Sequence, residues 1–238
     1  MGAPGGARVD FDRFHSEYDE ELARGLSASG EDRLYFARGR IGFLAGCLRE
    51  AGLPPPASVL DFGCGTGAAT PFFLDELGAE RVVGVDVSER SLDVARARHG
   101  SGRARFLALR DYEPAGEFPL VFCNGVFHHV PPPERAATVD LLRRSLAPGG
   151  LFALWENNPW NPGTRYIMSR VAFDRDAVTL SSVEARRLVS AGGLEVVRTD
   201  YLFIFPRLLK ALRFLEPRLA KAPLGGQYQV LCRRRDAP

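Results

Sequence analysis

The chain has little cysteine, and what it has forms no pattern that carries chemistry. Cys47, Cys64, Cys123 and Cys232 are scattered, with no C-x-x-C pair. Neither a disulfide framework nor a zinc site is suggested, and no metal site is expected. An excess of charge of one sign is also missing: 31 Lys and Arg stand against 29 Asp and Glu, a formal net charge of +2. A general nucleic-acid binder needs a concentrated basic surface, so no nucleic-acid partner is expected. No apolar run approaches the roughly 18 residues of a membrane span. Residues 1–8 are rich in Gly and Ala but hold no apolar core of the kind a secretory leader needs. Together these absences predict a cytoplasmic location. Beyond the first few residues there is no internal repeat and no low-complexity tract.

What is present points to one α/β unit. With 238 residues, 45% of them hydrophobic, the chain can bury a substantial core, either as one large domain or as a core with an added cap. Residues 11–26 are weakly amphipathic, with Phe11, Phe14, Tyr18, Leu22 and Leu26 at helical spacing. The spacing predicts a better helix over 31–51, which Gly52 and Pro54-Pro55-Pro56 end. Strands are predicted at 58–62, 81–87, 104–108, 120–124 and 151–156, with helices at 89–99 and 133–145 and a turn at Pro148-Gly149-Gly150. Short buried strands separated by helices imply a doubly wound, Rossmann-like parallel sheet. The last third departs from that alternation. Residues 157–180 are irregular, with Asn, Pro and Trp early and an amphipathic stretch after; a helix is predicted at 183–191, strands at 194–205 and 227–233, and a basic, apolar segment at 207–220. The expected division is an N-terminal helical lid over 1–52 and a core over 53–238, with substrate-side insertions near 157–182 and 206–224.

Three motifs carry chemistry. In Val59-Leu60-Asp61-Phe62-Gly63-Cys64-Gly65-Thr66-Gly67 a strand runs into a glycine-rich turn, where a ligand can approach bare backbone and the N–H groups of the following helix. Gly63, Gly65 and Ala68 also satisfy the dinucleotide pattern G-x-G-x-x-G/A, so an NAD-dependent oxidoreductase stays open. Asp61 weighs against it, because a carboxylate opposes a pyrophosphate and suits the cationic methionine end of S-adenosylmethionine (SAM). Asp86 ends the second strand in Gly84-Val85-Asp86-Val87-Ser88, about 20 residues past the glycines, where a carboxylate can accept both ribose hydroxyls of an adenosine. An isolated Asp there could equally start a helix, a part that Ser88 can take instead. After the third strand, Asp111 could accept from the adenine amine and Tyr112 could pack on its ring.

Asp-Phe-Gly-Cys-Gly-Thr-Gly, Gly-Val-Asp-Val-Ser, Phe-Cys-Asn-Gly-Val-Phe-His-His-Val and Leu-Ala-Pro-Gly-Gly, in that order over residues 58–156, resemble the class I SAM-dependent methyltransferases of the UbiE/UbiG-like group. The resemblance implies a seven-stranded sheet whose last strand is antiparallel. It implies SAM as cofactor and S-adenosylhomocysteine as product. Residues matching Gly63, Gly65 and Gly67 would line the methionine part, with Asp86 and its neighbour Val87 at the ribose and Asp111 beside adenine. Helices before the first strand usually cover the cofactor in this family, which makes Tyr18 and Arg40 candidate lid contacts.

Asn124 ends the fourth strand beside the expected methyl group, and His128 and His129 follow on the loop. Many relatives are acidic where His128 stands, whereas His129 matches a frequent histidine. Either imidazole could take a proton from an acceptor near neutral pH, or it could simply order the loop. Because SAM is already activated, alignment alone can be enough. Glu156-Asn157-Asn158-Pro159-Trp160-Asn161-Pro162 is expected to wall the acceptor side. Leu208, Leu209, Leu212, Leu215 and Leu219, with Arg207, Lys210, Arg213, Arg218 and Lys221, form either a surface for a lipid-like acceptor or a membrane face, or a helix packed on the sheet. The expected activity is methyl transfer to a small-molecule or lipid-like acceptor. A SAM-binding protein without catalysis is the remaining alternative.

Overall fold

In the computed structural model, residues 25, 29–171, 174 and 177–235 are described. The stretch 11–26, with Tyr18, lies outside them except for Gly25. The chain runs α1 (Arg33–Glu50), β1 (Ser58–Phe62), α2 (Thr70–Asp75), β2 (Arg81–Asp86), α3 (Glu89–His99), β3 (Ala104–Ala108), β4 (Phe118–Asn124), α4 (Arg135–Ser145), β5 (Leu146–Asn157), α5 (Pro162–Arg170), α6 (Ser182–Ala191), β6 (Leu194–Leu202), α7 (Glu216–Leu219) and β7 (Gln227–Arg234). The strands form one seven-stranded sheet in the order β3-β2-β1-β4-β5-β7-β6. The pairs β1–β2, β1–β4, β2–β3 and β4–β5 are parallel, and β7 runs antiparallel to both β5 and β6. The doubly wound sheet with an antiparallel last strand is thus as expected.

Alternation along the strands divides the core into two faces. Val59, Leu120, Phe122, Leu151, Ala153 and Trp155 pack with Ile41, Leu44 and Leu48 of α1 and with Phe73 of α2. Leu60, Phe62, Val121, Cys123, Phe152 and Leu154 pack with Val139 and Leu142 of α4 and with Ala185 and Val189 of α6. A smaller cluster seats α3 on β3 through Leu92, Ala95 and Phe106. With both faces covered, the central strands read as continuous apolar runs.

The differences from the sequence reading have local causes. Strand β5 begins at Leu146, so Pro148-Gly149-Gly150 is a bulged entry to the strand, with Gly149 at φ 68° and a register shift between Phe118 and Leu120. Strand β6 stops at Leu202 because Phe203 turns into the left-handed region (φ 62°). Its ring then packs on Tyr35 and Phe36 of α1, at centroid distances of 6.0 and 4.9 Å. Helix α5 falls inside the stretch read as irregular. It is nucleated by the Asn161 side chain, which accepts the Thr164 N–H at 2.9 Å, with Pro162 in the first turn. Residues 207–215 form a kinked 3-10 segment with no buried side chain, so the reading of a helix packed on the sheet does not hold there.

Candidate functional site

Because alternate residues of a strand share a face, Asp61, Asn124 and Asn157 at the C-terminal ends of β1, β4 and β5 all turn toward α1. They line one cavity of about 840 Å³, together with Gly63, Cys64, Gly65 and Thr66 of the glycine-rich loop and with His128, His129 and Asp174. That volume lies within the roughly 300–1,000 Å³ of small-molecule sites. Arg40, buried in α1, closes the wall: its Nη1 donates to Gln227 Oε1 (2.9 Å), and Gln227 Nε2 donates to Asn157 Oδ1 (3.2 Å). Arg40 therefore lines the cavity.

The loop after β1 is bent by glycines at positive φ: Gly63 at 73°, Gly65 at 53° and Gly67 at 76°. They do different work. A Cβ on Gly63 would overlap Val126 Cγ2, so only glycine lets the β1 and β4 loops approach. Nothing lies within 4 Å of where a Cβ on Gly65 would stand, leaving open space above bare backbone. Gly67 does not face the cavity; it admits the side chains of Ala95, His99 and Phe106. Asp86 ties this loop to α3, accepting the Gly65 N–H on Oδ2 (2.8 Å) and the Ser88 N–H on Oδ1 (2.9 Å). Ser88 caps α3 by accepting the Ser91 N–H.

Asp61 is almost wholly buried. Burial, helped by the nearby Asp86 charge, pushes its pKa up to about 7 against the opposing pull of Arg40. Burial likewise raises the Cys64 thiol far above its ordinary range, so it stays protonated. Asn124 Oδ1 and Thr66 Oγ1 are buried at the cavity wall with no hydrogen-bond partner among the described residues. A carboxylate, an exposed loop backbone and two orphaned oxygens suit a ligand carrying ammonium and sulfonium charge. They do not suit a pyrophosphate.

Other sequence-expected residues lie away from the cavity wall. Val87 is exposed beside Asp86. Asp111 sits in an exposed 3-10 turn, with Arg110 Nε at 3.8 Å from its carboxylate. Tyr112 packs partly buried against the α4 side of the core, and burial raises its phenol.

The cavity wall at the loop after β4 holds a cluster that the sequence only half announced. Glu156 is 1% exposed; its Oε1 accepts the Phe127 N–H (2.7 Å) and its Oε2 lies 2.6 Å from His128 Nδ1. His128 Nε2 lies 3.4 Å and His129 Nε2 3.3 Å from Asp174 Oδ1. Burial alone would favour neutral His128, but Glu156 and Asp174 overcome it and raise the imidazole to about 10. Burial and the neighbouring His128 lower His129. Burial would raise Asp174, but the two imidazoles outweigh it and hold the carboxyl at about 2. The cluster thus stores one proton on His128 between two carboxylates and leaves His129 neutral toward the cavity.

Residues 59–150 match the family described as "Methyltransferase domain". Over these residues, fewer than half of the chain, it is similar to methyltransferases. Among the chain's relatives is the trans-aconitate 2-methyltransferase of Variovorax paradoxus, 32% identical over 126 residues, 52% of this chain and 48% of that one. Another is the trans-aconitate 2-methyltransferase of Azoarcus sp., 34% identical over 121 residues, 51% and 47% of the two chains. The match spans about half the length of these relatives. The fold is shared with a SAM-dependent methyltransferase from Thermotoga maritima (TM-score 0.64, 20% identity, 94% of this chain and 98% of that one). It is also shared with magnesium protoporphyrin IX methyltransferase from Synechocystis with bound S-adenosylhomocysteine (TM-score 0.63, 16% identity, 94% and 97%). Among the described residues, no helix is long and apolar enough to cross a membrane.

Proposed function

We propose that this methyltransferase moves the SAM methyl group to a small molecule bearing a carboxylate, which enters the cavity between Asn124, Asn157 and the His128–His129 loop. The observation that carries the reading is the continuity of one cavity from the glycine-rich loop, where Asp61 and Gly65 stand, to the histidine wall. SAM supplies an electrophilic methyl on a sulfonium. Everything else falls to the chain. Asp61, ionised above about pH 7, attracts the cationic end of the donor, and Gly63 and Gly65 give it backbone contact. Asp86, already aimed at the Gly65 N–H, has the strand-end position that suits ribose, with Val87 beside it. Asp111 and Tyr112 are the proposed adenine-side residues, and both would need to be approached from outside the cavity described above. Asn124 orients the reacting end through its Oδ1. Neutral His129 can take a proton from the acceptor, while His128, clamped between Glu156 and Asp174, fixes the loop.

The carboxylate class is supported by relatives that are trans-aconitate 2-methyltransferases, and by Arg33, Arg40 and Arg213 on the wall. A lipid-like acceptor is the second reading, favoured by Leu208 at 92% and Phe214 at 70% exposure, next to Phe205 and Pro206 at the cavity wall. The test is calorimetric titration with SAM, S-adenosylhomocysteine and NAD. It is followed by S-adenosylhomocysteine release in the presence of trans-aconitate, other small polycarboxylates or prenylated phenols. Binding of SAM and its product but not NAD, with a drop of at least about tenfold in Asp86→Ala, is the expected result. Binding of NAD alone, or of none of the three, would overturn the reading.

A further inference from the structure

The four-residue cluster behind the acceptor wall has the geometry of a metal centre. Glu156 occupies the Nδ1 side of His128, which leaves Nε2 as the atom facing the cavity. A carboxylate behind a ligating histidine is the usual means of fixing its tautomer and ring plane. His129 presents its own Nε2 from the adjacent position, with the two rings 4.1 Å apart. Both nitrogens converge on a single oxygen, Asp174 Oδ1, at 3.4 and 3.3 Å. Those separations are too long for good hydrogen bonds, and Asp174 Oδ1 is buried with no hydrogen-bond partner among the described residues. They do match the edge of a tetrahedron around zinc: bonds of about 2.0–2.1 Å place neighbouring ligand atoms roughly 3.3–3.4 Å apart. One ligand atom from each of the three residues lies within 4.8 Å of the other two.

We propose that His128 Nε2, His129 Nε2 and Asp174 Oδ1 bind one divalent transition-metal ion, zinc in preference to magnesium or calcium. Two imidazoles and one carboxylate form a borderline donor set, and hard cations favour all-oxygen sites. Three protein ligands leave a fourth position, and since all three residues line the cavity, that position opens toward the acceptor. An oxygen or nitrogen of the acceptor takes it, and with the ion bound His129 holds the metal instead of taking the acceptor's proton. This narrows the acceptor to one carrying a chelating carboxylate or hydroxyl, a step that rests on the methyl-transfer reading above. Metal binding itself does not rest on it.

The experiment uses the full chain without an affinity tag, dialysed against chelator and titrated with Co²⁺ and then Zn²⁺. Calorimetry and the visible ligand-field spectrum of cobalt are read together. One equivalent of Co²⁺ with a four-coordinate spectrum, displaced by Zn²⁺ and unaffected by Mg²⁺, is the expected result. His129→Ala and Asp174→Asn should abolish the spectrum, and Glu156→Gln should weaken binding about 10–100-fold. Circular dichroism melts show that each variant is folded. Absence of stoichiometric binding would overturn the site and leave a proton as the occupant of the cluster. Unchanged cobalt affinity in folded His129→Ala would overturn it equally, by placing the ion elsewhere. SAM titration of the same samples keeps failure of the metal site separate from failure of the cofactor reading.

Discussion

Replacing Asp61 by Asn should make the ligand-free protein more stable and, at the same time, a poorer binder of SAM. Asp61 is 4% exposed. Burial and the Asp86 charge, offset in part by Arg40, raise its carboxyl from 3.8 to about 7. An acid whose folded pKa lies above its unfolded one gives its full stability below the unfolded value, and that stability is lost as pH rises to the folded value. The window here is 3.8 to about 7. Each pH unit within it is worth about 1.4 kcal/mol, so ionising Asp61 removes roughly 4 kcal/mol by about pH 8. Asn has nearly the shape of the protonated acid and never ionises. Its amide must find partners of its own, at roughly 1–2 kcal/mol, which leaves a net gain of about 2–3 kcal/mol at about pH 8 and a net loss of about 1–2 kcal/mol at about pH 4. Urea unfolding of the wild type and Asp61→Asn at the two pH values, without SAM, reads this as a pH-dependent difference in midpoint at constant slope. Calorimetry should show the variant binding SAM at least about tenfold more weakly, the loss of a charge-assisted contact. Equal midpoints at the higher pH, or a gain that does not vary with pH, would refute the argument that a desolvated carboxylate is held there for a cationic ligand.

Two further predictions test the frame of the site. Gly63→Ala places a Cβ at φ 73° against Val126; it should cost about 1–3 kcal/mol and weaken SAM binding at least about tenfold. A melting temperature and an affinity both like the wild type would remove the close-approach role of that glycine. Asp200 is fully buried and accepts from Arg198 Nε (2.7 Å), Arg198 Nη2 (3.0 Å) and Lys221 Nζ (2.7 Å). Asp200→Asn should lower the unfolding free energy by about 3–5 kcal/mol, because it leaves two cations facing a neutral amide. A loss under about 1 kcal/mol would show that solvent already screens the triad.

The sequence alone determined the parts of this protein that depend on local pattern. The central strands, buried on both faces, stand out as short apolar runs, and β1 and β3 fall at the expected bounds, as does α3. Glycine spacing marked the loop after β1, because positive φ next to bare backbone is a demand that few residues other than glycine meet. Asp61, Asn124, His128 and His129 were legible for the same reason: strand ends in a doubly wound sheet face the ligand crevice. Helix α5 was missed although Asn161-Pro162 is a recognisable start, since the surrounding Asn, Pro and Trp read as loop.

Tertiary structure decided the rest. Only the sheet order brings Asn157, Gln227 and Arg40 into one hydrogen-bonded wall, because they come from β5, β7 and α1. Only packing places Glu156 behind His128 and Asp174 in front of it, since neither acid has a spacing from the histidines that a motif could record. The ionisation of the cluster follows from that burial: a buried charge takes its value from neighbours in space, and those neighbours are assembled by the fold.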